Sequence, residues 1–156
     1  MHATQAANAT AQPQPVSRPR LRPVWLVSAA AGAIALAVTE LFWAVIRLSG
    51  VPIVAAGFGQ AKAQPVTAGL IALGIFTCTF WGTVLAVVIA RYATRPARLY
   101  LLATVVLTAA SLAMPLSAAD TATSTKLALS GAHVLAAAVI IPLVTRRLAR
   151  RIQANG

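Results

Sequence analysis

Along the chain, apolar residues arrive in four long, nearly unbroken runs: Val24 to Ile46, Val66 to Ala90, Leu99 to Ala119 and Leu127 to Thr145. A helix rises about 1.5 Å per residue and a bilayer presents roughly 30 Å of hydrocarbon, so about 20 residues suffice and each run is long enough to cross. The apolar positions run continuously and do not alternate, and hydrocarbon offers no water to open backbone groups, which favours helices over a β-barrel. The pattern predicts an all-α fold, an integral membrane bundle of four transmembrane helices.

The segments between the runs differ in kind. Residues 1–23 carry Gln5, Asn8, Gln12 and Gln14 among four prolines and have almost nothing to bury, so they read as a disordered tail before a membrane domain over 24–146 and a basic tail over 147–156. The first connection, Arg47 to Pro65, holds Gly50, Pro52, Gly57 and Gly59 and cannot continue a helix, yet Val51 to Phe58 is largely apolar and is expected to lie along the membrane surface. Arg91 to Arg98 is a short turn around Pro96, which makes the second and third helices antiparallel neighbours. Asp120 to Lys126 is polar, with Ser124 or Thr125 placed to cap the fourth helix. Pro115 and Pro142 are expected to bend the third and fourth helices.

Charge adds an orientation. The chain has 13 Lys plus Arg against two acids, a net charge of +11, on a background that is 59% apolar with a mean hydropathy of +0.80. Arg18, Arg20 and Arg22, then Arg91, Arg95 and Arg98, then Arg146, Arg147, Arg150 and Arg151 occupy alternate segments, whereas the other two connections hold only Arg47, Lys62 and Lys126. Basic residues in short flanks resist translocation, so both termini are expected to be cytoplasmic in a multi-pass protein of the cell (plasma) membrane. The bilayer is then the first partner, and the basic residues, lacking interleaved aromatics or a recognised module, do not read as a nucleic-acid surface. Ala61-Lys62-Ala63 has the form of a signal-cleavage site but lies too far beyond the first run, which is itself longer than a signal core.

Few residues offer chemistry. Glu40 is the one formal charge inside a run, and a carboxylate in hydrocarbon costs at least about 2.5 kcal/mol, so it should face protein or water. Ala29, Ala33, Ala37 and Ala44 share its helical stripe and would let a second helix approach closely. His133 stands at a matching depth, about 9 Å below the same boundary, on a face with Ser130, Ala136 and Ala137. Glu40 and His133 are therefore the candidate intramembrane polar pair, with Arg47, Asp120 and Ser130 as helpers. Gly74, Cys78 and Gly82 form a small-residue ridge suited to packing, and Trp25 suits an interfacial anchor. The lone cysteine cannot form an internal disulfide or a CxxC pair. No Walker loop, HExxH or GxSxG occurs, and no catalytic, metal or cofactor residues are assigned, so the chain does not read as an enzyme.

The turn Arg91, Arg95, Pro96 and Arg98, the segment Met114-Pro115-Leu116 leading to Asp120 and Thr121, His133-Val134 with Ala136 and Ala137, and Pro142 before Arg146 together resemble a bacterial membrane family of actinobacterial type, family 6069 of the domains of unknown function. The resemblance runs from about Pro23 to Arg147 and implies a four-helix membrane protein with no assigned activity. Three functions compete: a non-catalytic protein acting through helix contacts, including a homodimer; a proton-coupled small-molecule exporter using Glu40; and an accessory subunit docked on an unknown membrane partner. Small four-helix multidrug exporters share one carboxylate in the first helix, but their connections are shorter and this Glu40 lies off the membrane centre.

Overall fold

The computed structural model describes residues 23–51, 53–56 and 62–155. The expected N-terminal tail thus lies almost wholly outside the described residues. The elements are α1 (Val24–Leu48), β1 (Val54–Ala55), β2 (Gln64–Pro65), α2 (Ala68–Tyr92), α3 (Pro96–Ser111), α4 (Ala113–Ser117) and α5 (Thr123–Asn155). Among the described residues four helical stretches are long and apolar enough to cross a membrane, with α3 and α4 together making the third. The chain is a four-span, all-α membrane protein by this measure.

Local chemistry sets the helix ends. At the close of α1, Ser49 Oγ donates to Ile46 O at 2.7 Å and Gly50 takes φ +77°, a left-handed position that glycine adopts without a Cβ penalty. Thr67 caps α2 by accepting from Leu70 N–H. Pro96 opens α3 at the position where its missing N–H costs nothing. In the third span the regular helix α3 ends at Ser111, the residue whose carbonyl lies four back from Pro115, and α4 resumes at Ala113; the proline's ring and missing donor act on that carbonyl. By contrast α5 continues through Pro142. It begins at Thr123, so Ser124 and Thr125 sit in its first turn rather than before it, and it extends to Asn155, past the end of the apolar run.

The four spans close in a ring, α1 against α2, α2 against α3, α3 against α5 and α5 against α1, with α1 and α5 the most extensively packed pair. Two clusters of buried side chains mark its ends. Val24, Ala86, Ile89, Tyr100, Val144 and Leu148 join all four spans at what is here termed the basic end, where Arg91, Arg95, Arg98, Arg146 and Arg150 are exposed. Trp43, Ala128 and Ala132 form the other cluster, the hairpin end, with Phe42, Ile53 and Ile71 against it. Most remaining apolar side chains face outward, Phe76 at 69% and Leu41 at 68% exposure among them. That inversion of a soluble protein's surface suits a bundle solvated by lipid.

Small residues close the middle of the bundle, although on a different face from the one expected. α1 buries Ser28, Ala31, Gly32, Ala35 and Thr39, whereas Ala29, Ala33, Ala37 and Ala44 remain exposed. Gly32 makes the closest approach: a Cβ there would stand 2.5 Å from Thr79 Cγ2 of α2. On α2, Gly82 lies beneath the Tyr100 hydroxyl, but Gly74 meets nothing within 4 Å and Cys78 is exposed.

Candidate functional site

Glu40 is half-buried on α1, one turn beyond Leu36, and its carboxylate makes no hydrogen bond or ion pair among the described residues. Arg47 shares the stripe two turns on but is exposed and forms no ion pair with it. His133 is half-buried on α5, and its Nδ1 lies 2.9 Å from Leu129 O. A carbonyl can only accept, so that bond puts a proton on Nδ1. At the hairpin end α5 meets α1 through Ala128 and Ala132, clustered with Trp43, and through Gly131, whose Cβ would sit 3.4 Å from Phe42. At 100° per residue His133 is turned about 160° from Gly131. Glu40 and His133 are not joined by a direct hydrogen bond; Ser130 is grouped with His133 on one face of α5, its hydroxyl buried and without a hydrogen-bond partner. The Thr145 hydroxyl, one turn beyond Pro142, is likewise buried and unpartnered.

Asp120 does its bonding elsewhere. Its backbone is left-handed, φ 46°, a conformation that Asp tolerates better than most residues. Asp120 Oδ2 accepts from Ala63 N–H at 3.3 Å, and the neighbouring Thr121 Oγ1 accepts from Ala56 N–H at 3.0 Å while donating to Ala119 O at 2.8 Å. These bonds clasp the antiparallel pair β1–β2, in which Val54 faces Pro65 and Ala55 faces Gln64. The first connection therefore folds back over the bundle and is held by the third. Sequence reasoning gave Thr121 no role, and a Thr beside a helix break is a signal of a local turn, not of a partner 65 residues away.

A groove of about 430 Å³ opens between α1 and α2, its walls including Ala29, Ala33 and Leu36 on one side and Phe76, Thr79 and Phe80 on the other. The Thr79 hydroxyl is buried there without a hydrogen bond. Trp25 also borders a second space of about 380 Å³ at the basic end, lined by Pro23, Val87, Ala90 and Arg147. Among the described residues no group of three or more His, Cys, Asp or Glu is placed to hold a metal ion.

The family model described as "Family of unknown function (DUF6069)" matches residues 19–150. No curated protein and no solved structure matches the chain.

Proposed function

The chain belongs to the family of unknown function DUF6069, and from that premise we propose that it is a non-catalytic protein of the cell membrane that acts through lateral helix contact, with a second copy of itself as the partner. The observation that carries this reading is the half-used ridge of α2: Gly82 packs under Tyr100, while Gly74 and Cys78 on the same ridge are uncovered. Small residues left open on a membrane helix allow another backbone to approach closely, and van der Waals packing of that kind is the main attraction available between helices in lipid. In this reading the basic end is cytoplasmic, because its exposed arginines are the residues that resist translocation.

Cys78 is the chain's one cysteine and so reports its own surroundings. A short bis-maleimide added to native membranes is expected to convert the 16.1 kDa chain to a species of twice that mass. The Gly74→Leu variant, which keeps the thiol, is expected to lose that product. A chain that stays monomeric in the bilayer, with Cys78 freely alkylated, overturns the proposal; a cross-linked product of any other mass assigns the ridge to an accessory role on a larger protein.

One observation favours a second reading, proton-coupled export. Glu40 continues the α1 stripe of Ala29, Ala33 and Leu36 that lines the groove, and its carboxylate has no partner among the described residues. Binding of a lipophilic cation with release of one proton, lost in Glu40→Gln, is the expected signature; binding without proton release refutes it.

A further inference from the structure

We propose that the α1–α2 groove is a site for one anionic phospholipid, an acyl chain lying between the helices and the phosphate drawn to Arg147. Three observations point there together. The first is shape. The groove wall on α2 runs from Ala72 to Val84, about 18 Å at the helical rise, against about 15 Å for one leaflet of hydrocarbon. Its floor is low because small residues stand where larger ones would fill it: Gly32 lies against Thr79, and Ala29 and Ala33 flank it. At about 430 Å³ it falls within the usual range for small-ligand sites.

The second observation is continuity. Trp25 borders both the groove and the space at the basic end, so the apolar trough leads to the pocket that Arg147 lines. Trp25 is near the start of α1, the level at which an indole suits the boundary between hydrocarbon and headgroups. An acyl chain entering beside Trp25 passes Ala29 and Val84 and reaches the aromatic wall of Phe76 and Phe80 deeper in the membrane. The third is charge. Arg147 brings a positive charge to the lining of that space, and Arg146 and Arg150 lie exposed beside it on α5. The groove's apolar length and its cationic mouth match an anionic lipid at both ends. A neutral lipid matches only one, and a second helix would leave the arginine end unanswered.

The test uses the full chain in mild detergent and native mass spectrometry, titrating phosphatidylglycerol and phosphatidylcholine with identical acyl chains. One phosphatidylglycerol is expected to be retained per chain, at least tenfold in preference to phosphatidylcholine. Arg147→Gln is expected to reduce that preference below twofold, and Arg147→Lys to keep most of it. Should Arg147→Gln fail to fold, Arg147→Lys and Ala33→Phe decide the matter. Ala33→Phe fills the groove and is expected to weaken both lipids at least fivefold. Leu107→Phe, the same ring on the outward face of α3, is expected to weaken neither. Equal retention of the two lipids by the unaltered chain, or unchanged phosphatidylglycerol binding in Ala33→Phe, overturns the proposal. So does displacement of lipid on dimerisation, which assigns the groove to a second copy. Tetraphenylphosphonium held in preference to phosphatidylglycerol, and lost with Glu40→Gln, assigns it instead to a cation.

Discussion

The two ends of this bundle are built on different principles. At the basic end all four spans meet in one cluster, and Tyr100, Val144, Leu148 and Ile89 each fill part of it. At the hairpin end a single large side chain, Trp43 at 1% exposure, closes the interior against the alanines of α5, and a short two-stranded clasp lies over the top. The first arrangement divides the packing among several residues; the second concentrates it in one residue and supplements it with hydrogen bonds. In a membrane, where lipid is as apolar as the core, closure depends on how well surfaces fit rather than on how much oil is removed from water. The consequence is an unequal tolerance of substitution at the two ends.

Trp43→Ala is expected to have the largest effect, about 3 kcal/mol lost in thermal unfolding in detergent, because no neighbouring side chain can refill so large a space. Leu148→Ala, although Leu148 is 0% exposed, is expected to cost about 2 kcal/mol, since Val144 and Ile89 remain to close around it. Equal losses would erase the contrast between the ends. Gly32→Val probes the waist between them: its Cβ would overlap the Thr79 side chain, and the cost is expected near 1–2 kcal/mol. Thr79→Ala should recover part of that loss in the double variant, and strict additivity would show that the helices had simply shifted apart. The smallest effect belongs to the clasp. Asp120→Ala and Thr121→Ala are expected to speed hydrogen exchange at the Ala63 and Ala56 amides, respectively, by roughly three- to tenfold while leaving global unfolding almost unmoved, and Asp120→Asn should behave as the parent. A drop in global stability from either clasp variant would mean that the hairpin is part of the core.

The four spans were legible because each is a membrane-length block of apolar residues, a signal that survives a few residues' error at either end. Several helices run past their apolar runs for a physical reason: hydropathy marks where the chain leaves hydrocarbon, not where a helix stops. α5 therefore continues beyond Thr145 and buries Leu148 among arginines. The packing face of α1 was misread because alanine occurs on both sides of the helix. The buried face instead carries Ser28, Gly32 and Thr39, and Gly32 meets Thr79 of α2. The clasp was out of reach of any local pattern, since strands of two residues carry no periodicity and their bonds to Asp120 and Thr121 join segments 57 and 65 residues apart. Glu40 and His133 stand out in the sequence as polar positions in apolar runs. Depth along a helix says nothing of azimuth, however, and His133 is bonded within its own helix.

α5 is 33 residues long, a rod of about 50 Å, while the hydrocarbon it crosses is about 30 Å thick. Beyond Leu148, where α5 last packs on the other spans, the helix continues to Asn155 as an unbroken post of about 10 Å. A post of this kind is a lever and not a leash: a pull on a slack coil is absorbed as lost entropy, whereas a displacement of a continuous helix arrives along its axis undiminished. Pro142, where one backbone bond is missing, is the compliant point of that shaft. Whatever seizes the projecting arginines thus moves Leu148 and Val144 together, and the seal of the basic end moves with them.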